Sequence, residues 1–177
     1  MQISLMPIGR LESTVLRHLA PLISTRFHVD VEVGNRVPVE IFVRDERRGQ
    51  YLSTQILKAL SGVGSSSEEP ILGVADVDLF VPSLNFVFGE ADPRAGVAVI
   101  SVTRLRQSFY GLEEDERLFL ERAGKEAVHE LGHVFGLGHC VHPRCVMYFS
   151  NSLADTDLKE DRFCRKCAAI LDVSLKS

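Results

Sequence analysis

The chain has 177 residues, a net charge of −4, 45% hydrophobic and 25% charged residues, an ordinary balance for one globular domain with a sizeable core. That charge offers no basic surface for neutralising phosphates, so no nucleic-acid partner is expected. MQISLMPIG at the start carries no cationic leader, and no run of about eighteen uncharged apolar residues occurs, so no membrane partner is expected and the expectation is a cytoplasmic monomer.

Over the first hundred residues short apolar runs alternate with helical stretches, the pattern of an α+β or α/β sheet with helices packed on it. Gln2 to Met6 reads as a strand, and Leu11 to Thr25 as an amphipathic helix carrying Leu11, Val15, Leu19, Leu22 and Ile23. HVDVEV follows as a half-exposed strand in which Val29, Val31 and Val33 alternate with polar residues. RDERRG, Arg44 to Gly49, is expected in a solvated loop, Tyr51 to Leu60 in a helix, and SGVGSSSEEP in a flexible connection. ILGVADVDLFV, NFVFG and GVAVISV supply two or three further strands, with turn chemistry in DPRAG, Asp92 to Gly96, between the last two.

From about Glu113 to Gly136 the pattern is helical. Glu113, Glu114, Asp115 and Glu116 stand at its start, where negative charge favours the helix dipole. Residues spaced by 100° put Leu120, Ala127, Val128, Leu131, Val134 and Phe135 on a core stripe, with His129 and His133 nearly opposite.

Four of the six histidines and two of the four cysteines lie in VHELGHVFGLGHCVHPRC, residues 128 to 145. His129 and His133 stand one helical turn apart, so both imidazoles can reach one ion, with Glu130 beside them in an HExxH arrangement. A hydrolytic zinc site needs three protein ligands and one open position. His139 is the third candidate, because Gly136 can take a left-handed conformation and turn the chain back toward the ion. Buried histidines on a core helix are the competing explanation.

Cys140 and Cys145 have four residues between them, Cys164 and Cys167 have two, and eighteen separate the pairs. Such pairs suit a closed, tetrahedral four-thiolate zinc site, the alternative being two disulfides in an oxidising setting. His139 and Cys140 are neighbours whose side chains would point to opposite sides of an extended segment, so one would serve each ion. His142 reads as exposed or locally hydrogen-bonded, outside both sets, and His18 and His28 as structural.

HELGHVFGLGHC, then Cys145, Met147 and CRKC, resemble the archaemetzincins, metzincin zinc metalloproteases with an added four-cysteine zinc site. RGQYLSTQIL, DLFVPSLNFVFGEA and AVISVTRLR are also similar to that family, so the likeness covers most of the chain. The resemblance implies His129, His133 and His139 as ligands of a catalytic zinc, Glu130 as general base, the four cysteines around a structural zinc, and Met147 as the Met-turn methionine. It implies a twisted mixed β-sheet with packed helices and a long active-site helix over 1–136, and a small zinc-bound C-terminal subdomain over 137–177. Metzincins whose tyrosine reaches zinc carry it two residues after the methionine, where this chain has Phe149, with Tyr148 one residue early.

The expected function is zinc-dependent hydrolysis of peptide bonds by water that Glu130 activates, acting on a peptide or protein substrate with two zinc ions per chain. NFVFG is weighed as an edge strand pairing with extended substrate against a plain interior strand, and Tyr51 and Tyr110 as further oxyanion-stabilising groups. Alternatives are a zinc-stabilised peptide- or protein-binding module with latent or absent peptidase activity, which would not need Glu130, and a zinc-ribbon nucleic-acid binder. The last would need more basic residues than Arg162, Arg165 and Lys166 supply beside Asp155, Asp157, Glu160 and Asp161.

Overall fold

Residues 1–63 and 69–176 are described by a computed structural model of the chain. Its main sheet contains β1 (Gln2–Ile8), β2 (Asp30–Val33), β5 (Ile71–Ala75), β7 (Gly89–Asp92) and β8 (Val97–Ser101), in the order β2-β1-β5-β8-β7. The first four in that order are mutually parallel, and β7 closes the sheet as an antiparallel edge. A second sheet, β3-β4-β6, is made by β3 (Arg44–Asp45), β4 (Gln50–Leu52) and β6 (Leu79–Phe80). The expected mixed sheet with packed helices is therefore observed.

All five residues of β5 and of β8 are buried, as a parallel strand covered on both faces requires. Side chains alternate between the two faces. Ile3, Leu5, Leu72, Val74, Ala98 and Ile100 face α1 (Ser13–Phe27) and α3 (Glu116–Val134). Met6, Ile8, Ile71, Ala75, Val97 and Val99 face Ile56, Leu57 and Leu60 of α2 (Ser53–Ser61). The parallel pairing of β1 with β2 needs a crossover, which α1 supplies. Helix α1 runs to Phe27, two residues past the expected end, and stops where His28 adopts a left-handed φ of 57° and gives its N–H to the Ser24 carbonyl.

Several expected boundaries shift for identifiable reasons. RDERRG is exposed as expected, but Arg44 and Asp45 pair with Tyr51 and Gln50 in a hairpin whose turn Asp45 holds by accepting the N–H groups of Arg47 and Arg48. The following helix accordingly begins at Ser53 rather than Tyr51. ILGVADVDLFV is not continuous: Asp76 accepts the Thr103 hydroxyl at 3.0 Å, Asp78 accepts Arg104 at 2.6 and 2.8 Å, and the chain leaves the main sheet between them. The connection expected over 61–70 falls largely on residues 64–68, which lie outside the described residues. Helix α3 begins at Glu116, because the Asp115 carboxylate caps the Leu118 N–H while Glu114 accepts the Ser108 hydroxyl.

After α3 come two short helices, α4 (Leu153–Leu158) and α5 (Arg165–Ser174). Their segment joins the core on the α1 and α3 face: Cys145, Val146, Met147, Cys167 and Leu171 are buried in one cluster with Val15, Leu19 and Phe27. Among the described residues no helix is long and apolar enough to cross a membrane.

Phe27 joins the two halves of this face. Its ring is fully buried, with centroids 5.2 Å from Phe135 at the end of α3 and 5.6 Å from Phe163 before α5. Phe27→Ala should cost about 3–5 kcal/mol, read as a lower midpoint in urea unfolding.

Candidate metal centre

The last turn of α3 sets up the site. Gly136 has φ 85°, its N–H reaches the His133 carbonyl at 2.9 Å, and the Leu137 N–H reaches the Gly132 carbonyl at 3.0 Å. This pair of bonds is the Schellman motif, and its left-handed residue turns the chain back across the helix. His139 returns to the other two histidines as a result. The ligand nitrogens of His129, His133 and His139 all lie within 4.8 Å of one another, and Nε2 of His133 is 3.1 Å from Nε2 of His129.

Backbone carbonyls fix two of these rings. His129 Nδ1 donates to the Val146 carbonyl and His133 Nδ1 to the Leu137 carbonyl, each at 2.7 Å, which leaves both Nε2 atoms as lone-pair donors toward the third imidazole. Burial is the main reason all three imidazoles hold protons less tightly than usual, with Lys159 adding to the effect. Neutral imidazoles are the form a metal requires. His139 is the exposed member, and the Phe149 ring packs against it with centroids 4.8 Å apart. The position two residues past Met147 thus covers the third imidazole with an apolar ring.

Glu130 is buried beside His129, and burial followed by the nearby Glu126 carboxylate raises its pKa well above the usual carboxylate range, while Lys159 opposes the shift. A Cβ added to Gly89, the first residue of the edge strand, would stand 2.5 Å from Glu130 Cγ and 2.7 Å from Oε1. Glycine is what lets β7 lie directly on this carboxyl group. Gly132, inside the helix, plays the same part for Met147, whose sulfur occupies the place a Cβ would take. His129, Glu130, Gly89 and Phe149 line a common cavity of about 220 Å³.

Cys140, Cys145, Cys164 and Cys167 form the second group, with sulfurs also within 4.8 Å of one another. All four are free thiols, so the disulfide alternative is not realised. Cys164 caps α5, and the backbone N–H of Cys167 draws its pKa down to about 7, whereas burial pushes Cys145 and Cys167 upward. Cys140 is held by its N–H to the Met147 carbonyl at 2.9 Å, so consecutive residues 139 and 140 feed the two groups. His142 is exposed, accepts the Arg144 N–H at its Nδ1 and belongs to neither group.

Other expectations need correction. Asn85 to Phe88 do not form the edge strand, because the Asn85 carbonyl is taken by Arg48 and Gln50 side chains and only Val87 bridges to Leu79; the edge begins at Gly89. Neither Tyr51 nor Tyr110 lines the cavity of His129 and Glu130. His18 packs toward Gly124 of α3, and His28 ends α1. The histidine face of α3 is not an open face, since the helix is buried all round from Arg122 to Gly132 apart from Lys125.

Sequence reading overlooked what covers that face. Arg122 chelates Asp157 with two bonds of 2.7 Å, Thr156 donates to Glu126 at 3.1 Å, and the fully buried Lys159 sets its Nζ 3.0 Å from Glu126 without a well-directed hydrogen bond. Lys125 caps the end of α4 by donating to the Thr156 and Asp157 carbonyls. The available signal was the stripe Arg122, Glu126, His129, His133, polar residues at helical spacing that extend the histidine face backward.

Residues 9–173 match peptidase family M54. The archaemetzincin of Pyrococcus furiosus is 44% identical over 98% of this chain and 93% of its own length. Two solved structures are similar throughout: a zinc-dependent peptidase from Methanocorpusculum labreanum, with TM-score 0.87, 31% identity and coverage of 96% of this chain and 99% of that one, and an archaemetzincin from Archaeoglobus fulgidus complexed with malonate, with TM-score 0.82, 39% identity and the same coverage. With the three-imidazole and four-thiol groups already assembled, these likenesses mean that the chain belongs to the archaemetzincins, the zinc metallopeptidases of family M54.

Proposed function

We propose that the chain cleaves peptide bonds at the cavity beside His129, His133 and His139, with these three residues holding a catalytic zinc and Glu130 serving as general base. A second, structural zinc is held by Cys140, Cys145, Cys164 and Cys167. The observation that carries the reading is one cavity wall on which the ligand His129, the carboxyl of Glu130 and the edge-strand residue Gly89 meet. The donor sets suit the two roles: three nitrogens leave a tetrahedral ion one open position, whereas four sulfurs close it.

Bound zinc supplies a Lewis acid that polarises the scissile carbonyl and acidifies water. Glu130 takes the proton from the attacking water and returns it to the leaving amine. Its burial raises its proton affinity, which suits a group that must both accept and donate. Among the described residues strand β7 pairs with β8 along one side only, and an extended peptide laid along its other side would put a carbonyl above Glu130. Functionally the chain divides at Gly136: residues 1–136 supply the sheet, the edge strand and two ligands, and 137–177 supply the third ligand, Met147 beneath the site and the thiol cluster.

Glu130→Ala is expected to lower turnover of a peptide library by at least about a hundredfold, while metal analysis still returns two zinc ions per chain. Gly89→Ala would push the Glu130 carboxyl aside, and an expected loss of up to roughly a hundredfold in kcat with zinc content unchanged checks that contact. Cys140→Ser should weaken zinc binding at the histidine site as well as at the thiol site, measured by competition with a graded chelator; unchanged affinity at the histidines would separate the two centres.

A further inference from the structure

We propose that a second cavity, adjoining the catalytic one, receives a carboxylate of the peptide substrate. The inference rests on the peptidase reading above. The cavity has a volume of about 500 Å³ and is lined by Arg104, Arg122, Tyr110, Leu112 and Leu153 among others. It shares Phe86 and Asn151 with the cavity of His129 and Glu130, so a peptide leaving one wall enters the other. Among the described residues no acidic side chain lines it, although the chain carries 24 aspartates and glutamates.

Both guanidinium groups are held from behind. Arg104 gives Nε and Nη2 to Asp78 at 2.6 and 2.8 Å, and its planar head lies between Phe86 and Phe109, 4.3 and 4.8 Å from their ring centres. Its Nη1 has no hydrogen-bond partner among the described residues. Arg122, with 5% side-chain exposure, is fixed by Asp157 and by the Leu105 carbonyl. Asp78 and Asp157 stand outside the cavity lining, so the acids orient the arginines without filling the space in front of them. A guanidinium that cannot swing away binds a carboxylate with little reorganisation. The carboxylate comes either from the substrate's own C-terminus or from an acidic side chain near the cleaved bond.

Binding to zinc-loaded Glu130→Ala tests this without turnover. The probes are N-terminally labelled randomised hexapeptides made as free acids or as C-terminal amides, and amidated hexapeptides carrying Glu or Gln at each position in turn. Free acids binding roughly tenfold tighter than amides would identify the C-terminus as the ligand, and Glu favoured over Gln would identify a side chain. Adding Arg104→Met should bring the favoured ratio toward one, with the melting temperature checked in parallel; a ratio unchanged in the folded variant overturns the proposal, because the carboxylate would then be held elsewhere. Equal affinities in both comparisons overturn the proposal. Cleavage of the same pools by the unsubstituted protein judges the peptidase reading separately, since a carboxylate preference that depends on Arg104, without cleavage, upholds the cavity and rejects the hydrolase.

Discussion

A helix that buries charge must find a partner for each charged group, and α3 finds its partners in the segment that follows it. Arg122 meets Asp157, Glu126 meets Lys159 and Thr156, His129 meets the Val146 carbonyl, and His133 meets that of Leu137. A buried ion pair contributes little net stability compared with apolar side chains, but removal of one partner strands the other at a cost of about 3–5 kcal/mol. The chain after Gly136 is therefore bound to α3 by groups that cannot be exposed singly. His139 is carried on that segment, so the same pairing that shields charge also fixes the third imidazole.

The second sheet and the irregular run before β7 serve the opposite wall. Arg48 and Gln50 hold the carbonyls of Leu84 and Asn85, and just beyond them the rings of Phe86 and Phe88 meet edge-on with centroids 5.1 Å apart. The Phe88 carbonyl makes the first bond to the main sheet by accepting the Ser101 N–H at 2.8 Å, and from Gly89 the backbone runs as its edge strand and meets Glu130. The cavity floor is helical, one wall is the irregular run from Leu84 to the first edge-strand residue Gly89, and the other is the chain beyond Met147.

The local parts of this arrangement were legible in the sequence. HELGHVFGLGH encodes two imidazoles by helical spacing and a third by a glycine that only a left-handed turn explains, and both follow from backbone geometry alone. Parallel strands such as Ile71–Ala75 and Val97–Ser101 were visible because burial on both faces leaves an unbroken apolar run. Residues whose role depends on distant partners were not legible. Asp76 and Asp78 sit inside the strand-like run ILGVADVDLFV, and the break there becomes intelligible only when Arg104 and Arg106 are seen to hold them. Lys159 reads as a surface lysine until Glu126 is brought to it across the fold, and NFVFG has strand composition while side chains from another hairpin occupy its carbonyls.

Gly132 and Met147 are fifteen positions apart in the chain yet occupy what is physically one site, the sulfur sitting where the smallest possible amino acid leaves a notch in the helix. Their volumes are consequently linked: a methyl group gained at 132 would meet the sulfur and terminal methyl of the fully buried Met147, which would have to take another rotamer to admit it.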